Sequence, residues 1–115
     1  MEQKFNSFTH QLDLDLLINY CMQEGEIIDF QKDELMEREG ESSKWFGYVT
    51  QGCFKYISCG ISDRREHITW FSFEGEFVSD YPCCLNGHPA QTTIEAMMRS
   101  RIHRISGEQL KEWFC

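Results

Sequence analysis

Two carboxylates and a glycine meet in WFSFEGEFVSD, residues 70–80, where Glu74 and Glu76 flank Gly75 between an aromatic run and a return to apolar residues. Glycine, lacking a Cβ, lets backbone N–H groups approach a bound group closely, and a carboxylate is a strong acceptor for a hydroxyl. That is the chemistry of a small-molecule site. The same residues would equally make a solvated strand-to-strand turn, because glycine tolerates positive φ. Further on, Thr92 and Thr93 supply hydroxyl donors suited to a neutral or weakly charged ligand. No Lys or Arg occurs between Arg65 and Arg99, which leaves His88 as the one nearby side chain able to carry a positive charge.

Other reactive residues make weaker patterns. Six cysteines (Cys21, Cys53, Cys59, Cys83, Cys84 and Cys115) are irregularly spaced in a chain without an export signal, so free thiols are expected. The adjacent Cys83 and Cys84 form neither a C-x-x-C nor a paired zinc motif, and a redox role would need a thiol titrating well below its ordinary value. His10, His67, His88 and His103 contain no H-x-H pair, which counts against a cupin-like metalloenzyme, the alternative function on a barrel of this kind. A Cys84–His88 nucleophile pair within CCLNGH reads as loop. Arg99, Arg101 and Arg104 read as a solvated strand face, and Tyr48, Phe54, Tyr56, Trp70, Phe71 and Phe73 as core. No enzyme activity, metal or cofactor is expected.

The composition sets limits on partners. A chain of 115 residues supports one hydrophobic core, and 41% hydrophobic against 26% charged residues is globular rather than disordered. The formal charge of −8 is concentrated early: residues 1–40 hold ten Asp/Glu against three Lys/Arg. Phosphate-backbone binding by these residues alone is therefore disfavoured. No stretch reaches the roughly 18 apolar residues of a membrane span, and the start MEQKFNSFTHQ lacks a secretory layout, so a cytoplasmic protein without a membrane partner is expected.

The elements that would position these residues are mostly short. Leu12, Leu16, Leu17, Tyr20 and Cys21 recur at helical spacing, predicting a helix over about residues 10–24 that ends at Gly25. Then come strand-like runs: EIIDF, ELMERE, KWFGYVT, CFKYISC, EHITWFSF, QTTIEAMM and RIHRIS, most of them separated by glycine. HITWFSF is apolar on both faces, the expectation for a strand buried on one side and lining a cavity or covered by a helix on the other. Ser106 followed by Gln109 predicts a capping box opening a last helix over 107–115. Its stripe of Leu110, Trp113 and Phe114 needs a surface to cover it, either the chain's own barrel or a second subunit; the expectation is a dimer contact at these three residues.

This order of a helix, seven or eight glycine-punctuated strands, Gly52 after YVTQ, the Gly75-Glu76 pair, TTIEA, and RIHRIS-GEQL entering a helix resembles the sensor domain of the Crp/Fnr family of transcription regulators over residues 12–115. The resemblance implies a mainly β fold, a double-stranded β-helix (jelly roll) over about 26–106 with an N-terminal helix and the start of a C-terminal dimerisation helix, forming one domain over 1–115. It also implies a homodimer, and DNA contact only through a winged helix-turn-helix that these 115 residues do not contain. In the family's cyclic-nucleotide binders, the segment matching Phe73-Glu74-Gly75-Glu76 begins the phosphate-binding cassette, with the glutamate on the ribose 2′-OH. Aligning Ala96 with the cassette's last alanine puts Ala90 where the phosphate-binding arginine belongs. A phosphate desolvated there would lack its counter-charge, so the ligand is expected not to be ordinary cyclic AMP. The expected ligand residues are Phe73, Gly75, Glu76, Thr92 and Thr93, and the ligand itself stays unidentified.

Overall fold

The computed structural model describes residues 7–59, 65–81 and 83–114, with side chains placed for 14–59, 65–81 and 83–113. The side chains of His10, Leu12 and Phe114 and the whole of Cys115 lie outside the described set. Helix α1 (Ser7–Glu24) precedes the strands β1 (Glu26–Phe30), β2 (Leu35–Glu37), β3 (Trp45–Gln51), β4 (Cys53–Cys59), β5 (Glu66–Phe73) and β6 (Phe77–Ser79). A single-turn helix α2 (Cys83–Asn86), strands β7 (Thr93–Ala96) and β8 (Ser100–Ser106), and helix α3 (Gly107–Phe114) follow.

The strands form two four-stranded antiparallel sheets, ordered β1-β8-β3-β6 and β2-β7-β4-β5. The fold is thus mainly β with flanking helices, as the sequence leads one to expect. Between the sheets lies a first core to which both contribute: Phe30, Val49, Val78 and Ile102 from one, Phe54, Tyr56, Ile94 and Ala96 from the other. Phe30 meets Phe54 edge-on, with ring centroids 5.3 Å apart, a favoured aromatic geometry. The β3–β4 turn depends on Gly52, whose φ of 83° is left-handed and whose missing Cβ leaves room for Ser100 and the Arg99 carbonyl.

A second core lies on the outer face of the first sheet. Leu17 and Cys21 of α1, Phe46 of β3, Cys84 of α2, Ile105 of β8 and Leu110 of α3 pack there, with Tyr20 and Trp113 against them. The capping box of α3 forms as its residue types require: Gln109 N–H donates to Ser106 Oγ (3.0 Å), and Ser106 N–H donates to Gln109 Oε1 (2.9 Å).

Two expectations need correction. Leu110 is fully buried by its own chain, so it packs back on the domain and is not open to a partner subunit. Trp113 is half-buried against the same cluster. Strand β5 is not buried along one face: it is the outer strand of its sheet, Ser72 is its one buried residue, and Ile68, Trp70, Phe71 and Phe73 are exposed, although Trp70 and Ser72 do border a cleft. Phe54 and Tyr56 are core, whereas Trp70, Phe71 and Phe73 are not.

Candidate ligand-binding site

The turn at 73–76 is held by its own backbone and by β3. Gly75 has φ 87°, which a residue with a Cβ rarely adopts. Its N–H donates to the Val49 carbonyl (2.8 Å), and Val49 N–H donates to the Glu76 carbonyl (2.9 Å), so the turn is clasped to the neighbouring sheet. The Glu76 carboxylate accepts the Phe73 N–H at 2.9 Å and closes the turn on itself. Phe73, Gly75 and Glu76 are all solvent-exposed, and Phe73 stacks on Phe71 with centroids 5.8 Å apart.

Past β6 the chain places a carboxylate that the sequence reading did not single out. Asp80, 9% exposed, accepts the backbone N–H of Gln91 (2.5 Å) and of Thr92 (3.0 Å) on the same oxygen, Oδ2, which the Thr92 hydroxyl also approaches at 3.4 Å. Successive backbone N–H groups aimed at one point make an anion seat. Here its occupant is a side chain of the same chain. The segment carrying the seat is anchored one residue earlier, where Ala90 exchanges hydrogen bonds with the 40–41 turn: Ala90 N–H donates to Glu41 O and Gly40 N–H to Ala90 O, both at 2.8 Å. Ala90 is buried, and Thr93 Oγ1 is engaged by the Glu39 N–H at 3.0 Å.

A cleft of about 390 Å³ opens beside Asp80, lined by Phe46, Tyr56, Trp70, Ser72, Phe77, Ser79, Asp80, Tyr81 and Thr92. Of the five expected ligand residues, Thr92 alone lines it; Phe73, Gly75, Glu76 and Thr93 do not. Its floor is an ordered polar relay. Ser72 Oγ donates its one proton to the Phe77 carbonyl (2.7 Å), so the Tyr56 hydroxyl 2.9 Å away donates to Ser72 and accepts from the Ser79 N–H at 3.1 Å. Burial pushes the Tyr56 phenol up from its ordinary pKa and keeps it a donor.

A second buried carboxylate stands nearby. Glu37 is 8% exposed and its Oε1 has no hydrogen bond of good geometry, nor has Ser43 Oγ, although that hydroxyl is close enough to favour the charged form. Burial above all, and then the charge of Asp80, push Glu37 up to about 7.

The remaining candidates do not line the cleft. Cys21, Cys53, Cys59, Cys83 and Cys84 are free thiols. Burial raises Cys84 to about 11 and Cys83 above its ordinary value, the opposite of what a reactive redox thiol requires. Arg101 pairs with Asp29 at 2.6 Å, and Arg104 pairs with Glu26 at 3.0 Å while lying 3.7 Å over the Trp45 ring. Among the described residues no three His, Cys, Asp or Glu side chains are placed to hold a metal ion. No described helix is long and apolar enough to cross a membrane. A further cleft of about 460 Å³ lies between Ser42–Trp45, α2 and the start of α3, and holds none of the expected ligand residues.

A family model, the cyclic nucleotide-binding domain, matches residues 27–114. The chain belongs to that family. No curated protein matches the sequence. Solved structures share this chain's fold at low sequence identity. The N-terminal domain of a transcriptional regulator from Streptomyces coelicolor A3(2) is 15% identical with a TM-score of 0.70, over 88% of this chain and 67% of that one. FixK2 from Bradyrhizobium japonicum is 19% identical with a TM-score of 0.66, over 76% of this chain and 42% of that one. The regulatory subunit of a cAMP-independent protein kinase A from Trypanosoma brucei is 18% identical with a TM-score of 0.64, over 71% and 29%. At these identities the likeness is one of fold. The chain spans less than half the length of the last two.

Proposed function

We propose that this cyclic nucleotide-binding domain is the ligand-sensing, non-catalytic part of a cytoplasmic, dimeric transcription regulator of the Crp/Fnr type, and that its ligand is not ordinary cyclic AMP. DNA would be contacted through a winged helix-turn-helix outside these residues, with ligand binding biasing the helix that begins after Ser106. The observation that carries the ligand reading is Asp80: its carboxylate occupies the Gln91 and Thr92 amides, next to Ala90, where the family resemblance puts a phosphate and its arginine. A cyclic phosphate would meet a buried carboxylate and no guanidinium, a strongly unfavourable exchange. The Gly75-Glu76 turn then acts as scaffold, its carboxylate spent on Phe73 N–H, and Thr92 is the expected residue that stays at the ligand.

The Trypanosoma neighbour supports this line of reasoning. It is described as cAMP-independent, and a triple variant of it, one of whose substitutions puts arginine in place of threonine, is described as bound to cAMP in its A site. Titration calorimetry with cyclic AMP and cyclic GMP tests the reading directly. No binding is expected at physiological nucleotide concentrations; micromolar affinity for either would overturn it.

A further inference from the structure

The cleft beside Asp80 has an unusual lining for a family built around anionic ligands. Five of its residues are aromatic, three bring hydroxyls as Ser or Thr, and none is Lys, Arg or His. Its one carboxylate, Asp80, is fixed by the Gln91 and Thr92 amides and cannot swing aside without leaving two backbone donors unsatisfied. Phe46, Phe77 and Tyr81 form a contiguous wall, Phe46 lying 5.0 Å from Phe77 and 6.5 Å from Tyr81 between ring centroids. Trp70 lines the cleft while 69% exposed, so its ring is open to an incoming group.

We infer that this cleft binds an organic cation, an alkyl- or aryl-ammonium group, against Asp80, with ring faces from Phe46, Phe77, Tyr81 and Trp70. Aromatic faces carry negative potential and attract quaternary ammonium groups, most strongly where water is partly excluded. The carboxylate adds the charge that rings alone lack. Behind it lies the buried Glu37, whose carboxyl is raised in part by the charge of Asp80. An anionic ligand would face like charge at the seat, and a neutral one would leave the field of Asp80 unused. The inference rests on the reading that the domain senses a small molecule other than cyclic AMP, and narrows that molecule to a charge class.

The test uses choline and its uncharged isostere 3,3-dimethyl-1-butanol as probes, followed through backbone amide shifts of the isotopically labelled protein. Choline should shift the amides of Ser79, Asp80, Tyr81 and Thr92 and bind about tenfold more tightly than the alcohol. Asp80→Asn should cut that ratio to about threefold, leaving the ring faces to discriminate, and Trp70→Ala, at a position that holds none of the core, should weaken choline about threefold. Should Asp80→Asn fail to fold, the wild-type ratio and the Trp70→Ala titration still decide. Equal affinity for the two probes, or shifts confined to another part of the surface, would overturn the inference. Micromolar cyclic AMP binding would overturn the underlying reading as well, whereas equal probe affinity without nucleotide binding removes the cation inference alone.

Discussion

Asp80 Oδ2 lies 2.5 Å from the backbone nitrogen of Gln91, eleven residues further along the chain, and accepts its N–H. The bond fixes the end of β6 to the approach of β7 and, with the Thr92 amide on the same oxygen, fills a pair of adjacent amides that converges beside the cleft. It has consequences for any attempt to restore nucleotide binding. Ala90→Arg alone should leave cyclic AMP affinity undetectable, because the new guanidinium would pair with Asp80 rather than with a phosphate. Asp80→Ser combined with Ala90→Arg should give measurable affinity, since the amides and the cation then face the same empty seat. Calorimetry on the single and double variants checks this, and equal behaviour of the two would count against Asp80 as the blocking group.

Glu37 makes stability depend on pH in a definite direction. Its folded pKa, about 7, lies above the ordinary glutamate value of 4.5, so the folded state binds the extra proton between those limits. Its contribution is therefore complete below about pH 4.5 and is lost progressively as pH rises to 7, levelling off above; the displacement corresponds to roughly 3 kcal/mol. Glu37→Gln should be stabilising relative to wild type at pH 8 and close to neutral at pH 4.5. Urea unfolding of both proteins at the two pH values measures the difference, and a pH-independent gap between them would show that Glu37 is not the titrating group.

The buried thiols should be inert. With Cys21 and Cys84 each raised to about 11 and both almost wholly covered, neither supplies thiolate at neutral pH. In native protein an aromatic disulfide reagent should label exposed Cys59 first and reach Cys21 and Cys84 only at the rate of unfolding. Mass mapping of the labelled cysteines decides it; rapid labelling of Cys84 in folded protein would revive a redox role for the Cys83-Cys84 pair.

Local patterns were the legible ones. EIIDF, CFKYISC and EHITWFSF coincide with β1, β4 and β5, because each is a run of strand formers bounded by a turn or a glycine. The Ser106–Gln109 capping box was legible for the same reason, its partners being three residues apart. β6 and α2 were not: three and four residues are too few to show a period, and CCLN carries no helix signal of its own. The exposure of Trp70, Phe71 and Phe73 was hidden because composition cannot tell an outer strand from a covered one. Asp80 was invisible as a site residue for a related reason: what makes it one is the pair of amides at Gln91 and Thr92, brought to it by the packing of both sheets rather than by neighbouring residues.

Leu110 belongs to the domain's own core, and its truncation should read as a core defect. It is fully buried among Leu17, Cys21, Phe46, Cys84 and Ile105. Leu110→Ala should cost about 2 to 5 kcal/mol, lowering the urea midpoint with the slope unchanged. A cost within about 0.5 kcal/mol, as for a surface substitution, would place α3 away from this cluster.

Four of the exposed large apolar side chains, Ile68, Trp70, Phe71 and Phe73, lie on β5. Phe71 and Phe73 project from the same face, stacked and exposed, on the outer strand of a four-stranded sheet. An outer strand offers unpaired backbone groups along its edge, and exposed aromatic side chains beside that edge favour pairing with another chain. Self-association of these 115 residues should therefore run through β5 more than through α3, whose Leu110 is already covered. Replacing both rings, Phe71→Thr with Phe73→Thr, keeps strand propensity while removing the patch, and should shift the protein toward monomer with its fold intact. Trp113→Glu, at a half-buried position of the second core, should instead lower stability. Sedimentation across a concentration series, with circular dichroism on each variant, separates the two surfaces: loss of association with Trp113→Glu in a protein that stays folded and equally stable would move the contact to α3.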